Sequence, residues 1–229
     1  MIAFTCLCAI ACGVLVAAEL LRREAWRRIA KPIASLGFVM VSTLAIPRAL
    51  PLLGALALWI WIAQLLGCAG DLALLVSGSY RGREPEQQRA WFGYGLVAFL
   101  LGHMAYVIGF STVVPPTRWL TAGSWFALAP IVVTALVVRW LWPHLGSLRP
   151  AVASYIAVIT VMVIAAIAVW RAAPAPLVNR ELLAGGAMLF FASDLAVARD
   201  TFVTASWTNR AWGLPAYYAG QLMIAWSVV

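Results

Sequence analysis

The sequence predicts an all-α integral membrane protein that folds as a single eight-helix transmembrane bundle. Of the 229 residues, 64% are hydrophobic and only 10% are charged, whereas a soluble domain carries about 25% charged residues. The mean hydropathy is +0.94. Apolar runs of about 20 residues, long enough to cross about 30 Å of hydrocarbon, recur along the chain. We therefore expect residues 1–229 to form one transmembrane domain without a soluble part.

The eight predicted helices follow these apolar runs in order. The first run has neither a preceding basic residue nor a small-residue cleavage pattern, so it is predicted to be a membrane helix and not a removed signal. Pro47 and Pro215 interrupt the second and eighth runs, and Pro130 is expected to kink the fifth. The predicted helices span residues 2–22, 32–49, 52–77, 91–114, 119–142, 150–170, 181–200 and 212–229.

The net charge of +8 orients the chain in the membrane. Its basic residues lie in short loops and not on one folded face, so the charge does not indicate a nucleic-acid partner. Twelve of the 16 cationic residues fall in alternate connections, which the positive-inside rule places in the cytoplasm. Both termini are then expected to face outward, in what we interpret as a bacterial inner membrane.

Two carboxylates, Asp71 and Asp194, lie inside otherwise apolar runs. A carboxylate at membrane depth is unfavourable and by default indicates a functional site. Each lies six residues before the end of its predicted helix, about 9 Å inside the cytoplasmic boundary. Catalysis is the favoured interpretation. A proton relay in a small proton-coupled transporter and a structural bond between two helices are the alternatives.

Short matches between the two halves predict a four-plus-four parallel repeat. Its pseudo-twofold axis would run along the membrane normal and bring the two aspartates face to face. The matching pairs are Lys31-Pro32 with Arg149-Pro150, residues 70–73 with 193–196, and Gly102-His103 with Gly220-Gln221.

Six further polar residues are candidates for binding a substrate or a water. The tyrosines and the glutamine could equally be bonds between helices, and an intramembrane histidine is as readily structural as catalytic. The lysine, which is the only one in the chain, could be an interfacial anchor or could contact a lipid phosphate or a site carboxylate. The six candidates are Lys31, His103, Tyr106, Tyr217, Tyr218 and Gln221.

Metal and serine chemistry are poorly supported by the sequence. There are two histidines, at different predicted depths, whereas a hydrolytic zinc site usually needs three protein ligands. Neither G-x-S-x-G nor H-E-x-x-H occurs. No metal or other cofactor is predicted, which leaves acid–base chemistry by carboxylates. Separately, Gly95, Gly102 and Gly109 recur every seven residues and predict a close helix contact.

Six stretches of the sequence carry a family resemblance: KPIASL (31–36), LLGCAGDLALL (65–75), FGYGLVAFLLGHMAYVIGF (92–110), LWPHLGSLRPAVASY (141–155), MLFFASDLAVARDTF (188–202) and YYAGQL (217–222). In this order they resemble the YhhN-like lysoplasmalogenase family. The resemblance implies a membrane enzyme that hydrolyses the vinyl ether bond of lysoplasmalogens, with Asp71 and Asp194 as its catalytic pair. Its partners would be a lysophospholipid substrate and membrane lipids. We expect Lys31 with Arg149 or Arg199 to bind the phosphate; which aspartate donates the proton stays open.

Overall fold

The computed structural model describes residues 1–49, 52–173 and 178–229, and their regular structure is entirely helical. Seven segments are long and apolar enough to cross a membrane, and α9 is the eighth helix of the bundle. The fifth segment consists of α5 and α6 with short 3₁₀ turns. The predicted fold class is therefore confirmed. The helices are α1 (Ile2–Leu20), α2 (Glu24–Ala49), α3 (Gly54–Ser79), α4 (Pro85–Ser111), α5 (Trp119–Gly123), α6 (Leu128–Leu141), α7 (Arg149–Ala172), α8 (Arg180–Ala198) and α9 (Trp207–Trp226).

Seven of these helices form a ring. In order of contact the ring runs α1, α2, α3, α4, α7, α8 and α9, and the contact between α9 and α1 closes it. The α5 and α6 segment packs on the outside, against α7. Because α9 also contacts α2 and α3, its side chains lie close to the residues that α3 directs inward.

Three helices begin earlier than predicted. Helix α2 begins at Glu24, so Pro32 lies inside the helix and does not open it; α4 begins at Pro85 and α9 at Trp207. Apolar runs mark only the hydrocarbon-spanning part of a helix, and these first turns are polar. Proline is tolerated inside a membrane helix where neighbouring groups satisfy the freed carbonyl.

The fifth span is broken and not merely kinked. Helix α5 ends at Gly123, Ser124 has a positive φ of 49°, and a 3₁₀ turn follows over Ser124–Ala127. Pro130 then lies in the first turn of α6, where its missing N–H removes no intrahelical hydrogen bond. The predicted kink at Pro130 is therefore wrong, because the break comes before the proline.

Glycines bring helices together at two crossings. A Cβ on Gly102 would lie 3.1 Å from the Ala63 carbonyl oxygen of α3, and one on Gly109 would lie 2.9 Å from Trp59 Cβ. The predicted close contact of this glycine series is confirmed. At the second crossing, a Cβ on Gly220 would lie 2.8 Å from the carbonyl oxygen of Gly186 in α8.

The α8–α9 crossing gives a stability prediction. Gly220→Ala should lower the free energy of unfolding by about 1–3 kcal/mol, because the new methyl group meets backbone that cannot move without separating the helices. Gly13→Ala in α1 is the matched control, since a Cβ there meets nothing within 4 Å. Thermal unfolding in detergent measures both. Equal thermal unfolding midpoints for the two variants would show that the α8–α9 crossing accepts the added methyl group without strain.

Helix contacts follow the same pattern in both halves of the chain. Helix α2 contacts α3, α3 contacts α4 and α4 contacts α7; correspondingly α7 contacts α8, α8 contacts α9 and α9 contacts α2. This pattern is the one that a parallel repeat of α2–α4 and α7–α9 requires, whereas α1 lies in the ring and its counterpart, the α5 and α6 segment, packs outside it. The contact pattern does not establish that the two halves superpose, so the repeat itself stays a prediction.

Candidate active site

Both aspartates line one cavity of about 700 Å³, a size typical of sites for small organic ligands. The cavity lies among the last turns of α1, α3 and α8 and the first turns of α2, α4, α7 and α9. This is the end of the bundle that the loop charges predict to be cytoplasmic. The two acidic side chains, 123 positions apart in the sequence, therefore face a common space.

Asp71 is held by an ion pair and a hydroxyl group, both from α2. Lys31 Nζ lies 3.2 Å from its Oδ1, and Ser35 Oγ donates a hydrogen bond of 2.7 Å to its Oδ2. Ser35 follows Lys31 by one helical turn, so one face of α2 presents both groups. The aspartate is only 3% exposed. Of the roles considered for Lys31, contact with a site carboxylate is the one that the geometry matches.

Asp194 has a different set of neighbours. Tyr155 of α7 donates a hydrogen bond of 2.7 Å to Asp194 Oδ2, and His103 Nε2 of α4 lies 3.7 Å from the same oxygen. Within the described ranges, no lysine or arginine nitrogen lies within 4 Å of Asp194. Its side chain is 19% exposed. Asp194 therefore faces the cavity without a cationic partner.

His103 is fully enclosed behind Asp194. Its ring contacts the Tyr155 ring, with centroids 5.2 Å apart, and the Phe190 ring at 4.6 Å. Neither ring nitrogen has a hydrogen-bond partner among the residues that the structure describes. His103 does not line the cavity; its ring packs against the aromatic residues beside Asp194.

The α9 candidates form a network beside Asp71. Tyr217 lines the cavity, and its hydroxyl accepts a hydrogen bond of 3.3 Å from Gln221 Nε2. Gln221 Oε1 accepts a short hydrogen bond from Tyr106, and the hydroxyl groups of Tyr218 and Ser35 are 3.4 Å apart. Tyr106, Tyr218 and Gln221 lie one layer behind the cavity wall. Of the four, the structure brings Tyr217 into direct reach of a ligand.

Gly67 of α3 makes room for this network. A Cβ at this position would lie 2.9 Å from Gln221 Nε2 and 3.2 Å from the Tyr217 hydroxyl. Gln64, one turn earlier on α3, donates a hydrogen bond of 2.7 Å to the Gln221 carbonyl oxygen. The small and polar face of α3 thus lets the α9 side chains approach Asp71 from the ring interior.

The lining of the cavity combines cationic and apolar residues. Cationic residues of the lining lie on α2, after α3, at the start of α4 and on α9, and apolar residues lie mainly on α4, α7 and α8. Two aromatic pairs show how α4 meets the second half: Phe99 contacts Phe190 at 6.4 Å and Phe92 contacts Phe202 at 6.2 Å between ring centroids. The apolar wall includes Phe92, Leu96, Phe99, Ile156, Ile159, Phe191 and Phe202, and the cationic wall consists of Arg27, Lys31, Arg81, Arg89 and Arg210.

Two arginines expected to bind a phosphate are directed elsewhere. Arg149 lies over the Trp142 ring, 5.3 Å from its centroid, and Arg199 donates a hydrogen bond of 3.0 Å to Asn209 Oδ1. Neither lines the cavity. That expectation is therefore wrong, because a loop charge predicts the membrane side on which a residue lies and not the direction of its side chain.

Sequence reasoning missed the closest partners of both aspartates. Tyr155 ends one of the stretches that resemble the YhhN-like family, and Ser35 lies in another. The spacing of Ser35 from Lys31, four residues and so one helical turn, was a usable signal for Ser35. In residues 1–49, 52–173 and 178–229, no three His, Cys, Asp or Glu side chains are grouped as a metal site would require.

Comparison with known proteins shows where this chain belongs. The sequence model of the YhhN family matches residues 26–228, which include both aspartates and all of their partners. A bovine protein named lysoplasmalogenase TMEM86A is 32% identical over 145 residues, covering 62% of this chain and 58% of the relative. A Mycobacterium bovis protein named lysoplasmalogenase is 28% identical over 179 residues, covering 72% and 58%.

The matched part spans 58% of the length of each of these relatives. No solved structure matches the chain. The family match, in contrast, extends over almost all of it, from the first turn of α2 to the end of α9. The chain therefore belongs to the YhhN family.

Proposed function

We propose that this protein hydrolyses the vinyl ether bond of lysoplasmalogens, releasing a fatty aldehyde and glycerophosphocholine or glycerophosphoethanolamine. The observation that carries the proposal is that Asp71 and Asp194 line one cavity that has both cationic and apolar lining residues. A lysophospholipid has the same division, with a charged headgroup at one end and a hydrocarbon chain at the other. The names of the bovine and mycobacterial relatives support the same activity.

Vinyl ether hydrolysis needs an acid and a base at neighbouring positions. An acid protonates the β-carbon of the double bond, which leaves an oxocarbenium ion at the α-carbon. Water adds to that carbon to give a hemiacetal, which collapses to the aldehyde and the glycerol hydroxyl. In glycoside hydrolysis, two carboxyl groups perform comparable steps on an oxocarbenium-like transition state.

The surroundings of the two aspartates support a different role for each. An opposite charge at about 4 Å favours an ionised carboxylate, and Asp71 has Lys31 at 3.2 Å. Asp194 faces no cation in the described part of the chain, and it lies beside the apolar wall. An uncharged carboxyl group is the form that such a place favours. We therefore take Asp194 as the acid and Asp71 as the carboxylate that stabilises the cation.

The orientation of the substrate agrees with these roles. The β-carbon belongs to the hydrocarbon chain and would lie on the apolar side, next to Asp194. The ether oxygen belongs to the glycerol unit and would lie on the side of Asp71 and Lys31. Asp194, the proposed acid, would therefore lie on the same side of the cavity as the β-carbon that takes the proton.

The protons balance over the full cycle. Asp194 gives its proton to the β-carbon, and Asp71 takes one from the attacking water. In the collapse of the hemiacetal, Asp71 returns its proton to the departing glycerol oxygen, while the hemiacetal hydroxyl gives its proton to Asp194. Tyr155, which donates to Asp194 Oδ2, leaves Oδ1 as the oxygen that exchanges protons with the substrate.

The proposal is tested with the purified protein and three lipids that differ at one bond. Alkenyl lysophosphatidylcholine should yield aldehyde, measured by reduction with a coupled alcohol dehydrogenase. The saturated alkyl ether should not react, because it has no double bond to protonate, and the acyl lipid should release no fatty acid. Absence of aldehyde from the alkenyl lipid, or equal turnover of the acyl lipid, would overturn the proposal.

A further inference from the structure

A second, polar cavity of about 560 Å³ adjoins the first at the end of the bundle. We call it the vestibule. It lies among the last turn of α1, the first turn of α2, the end of α3 and the first turn of α9. The two cavities adjoin each other, because six residues line both: Glu19, Arg27, Gly78, Arg81, Ala205 and Arg210.

Arginines outnumber acids around the vestibule. Glu19 is shared by Arg210 at 2.7 Å and Arg27 at 3.6 Å, while Glu24 pairs with Arg27 and Arg28. These two acids are thus already neutralised. In the portion of the chain that the structure describes, the three other arginines of the wall have no carboxylate oxygen within 4 Å: Arg22, Arg23 and Arg81.

Two of the arginines are fixed in place before any ligand binds. Arg210 donates to both Glu19 and Asp200, at 2.7 Å and 3.0 Å. The Arg27 guanidinium occupies the space that a side chain at Gly78 would need. The vestibule is therefore a partly rigid pocket with an excess of positive charge, which attracts an anion and offers it charge-assisted hydrogen bonds.

We propose that the vestibule binds the phosphodiester of the lysophospholipid headgroup. This inference rests on the proposed hydrolysis and extends it to substrate selection. Gly78 follows Asp71 by seven residues, so the vestibule begins about 10 Å along α3 from the carboxylate. The extended glycerol unit of a vinyl ether lipid beside Asp71 covers part of that distance, and the long side chains of Arg27 and Arg81, which line both cavities, cover the rest. The arginine wall then holds the headgroup while the chain lies against the apolar wall of the main cavity.

The test compares two substrates that differ only in the phosphate. One is an alkenyl lysophosphatidylcholine, and the other is the matching alkenylglycerol, which has no phosphate group. In the wild-type protein the phospholipid should be preferred. Arg81→Gln should reduce that preference, measured as the ratio of kcat/KM values, about tenfold through a higher KM, since one charge-assisted bond is lost.

Arg139→Gln is the matched control. Arg139 is an exposed arginine in the last turn of α6, at the same end of the bundle, and it lines neither cavity. Its substitution removes the same charge and should leave the ratio of the kcat/KM values for the two substrates unchanged. An unchanged ratio in Arg81→Gln and in the double variant Arg23→Gln/Arg81→Gln would overturn the assignment of the headgroup to the vestibule.

A binding measurement separates this inference from the hydrolysis itself. Acyl lysophosphatidylcholine should bind the wild-type protein in detergent more tightly than monoacylglycerol does. Arg81→Gln should reduce this difference in affinity between the two lipids. Competition by glycerophosphocholine but not by inorganic phosphate identifies the headgroup as the ligand; equal competition by both would show a general phosphate site and overturn the headgroup assignment. Binding without aldehyde release would count against the enzyme and leave the vestibule assignment standing.

Discussion

Asp194→Asn is expected to lower the rate of aldehyde release by about 10²–10⁴-fold, the usual contribution of a positioned general acid. Asparagine has the same shape and its side-chain oxygen can still accept the hydrogen bond from Tyr155, which is 2.7 Å long in the native protein. It has no proton to deliver to the β-carbon. The loss should appear in kcat at saturating alkenyl lysophosphatidylcholine, with little change in the KM of the residual reaction.

The control for this variant lies on the same helix. Glu181→Gln makes the same carboxyl-to-amide change in the first turn of α8, at the opposite end of the bundle from the cavity. It should retain the parent rate. Thermal unfolding of both variants in detergent shows whether they are folded. A folded Asp194→Asn protein with the parent kcat would remove Asp194 from the mechanism.

Lys31→Met is expected to affect both stability and turnover. The change leaves Asp71, which is 3% exposed, without its cation, and breaking a buried ion pair by removing one partner costs about 3–5 kcal/mol. Some of that loss is offset here, because Ser35 still donates to Asp71 and the lysine is 12% exposed. We expect the free energy of unfolding to fall by about 3 kcal/mol and hydrolysis to slow strongly.

A second substitution separates the two effects of Lys31→Met. Adding Asp71→Asn removes the unpaired charge, so the double variant should regain most of the lost stability while staying inactive. Arg28→Met is the control on α2, since its pair with Glu24 is exposed on both sides and should contribute less than about 1 kcal/mol. A double variant no more stable than Lys31→Met would show that the ion pair contributes little to folding.

The membrane helices and the two intramembrane aspartates could be found from the sequence alone, because both appear as local features of the sequence. An apolar run of the right length indicates a membrane helix, and a charge inside such a run stands out against it. The polar first turns of α2, α4 and α9 give no such signal. They lie where the helix leaves the hydrocarbon, and only backbone hydrogen bonding shows that they are helical.

The contact of Lys31 with a site carboxylate was among the expectations, but the partners of Asp194 could not be predicted because they depend on how the helices are arranged in the ring. Tyr155 reaches Asp194 because α7 packs against α8, and His103 reaches it because α4 packs against α7. A serine or a tyrosine on a membrane helix looks the same in sequence whether it faces a carboxylate or another helix. The same limit explains why Arg149 and Arg199 were expected to bind a phosphate, although the structure directs both side chains elsewhere.

The repeated contact pattern of the two halves has a consequence for the chemistry. In each half, the helix before the aspartate supplies its partner: α2 gives Asp71 a lysine, and α7 gives Asp194 a phenol. A homodimer of identical four-helix units would surround both acids identically. Joining two such units in one polypeptide would free each to change alone, and the proposed mechanism requires that difference, because one carboxyl group gives a proton while its counterpart stays charged.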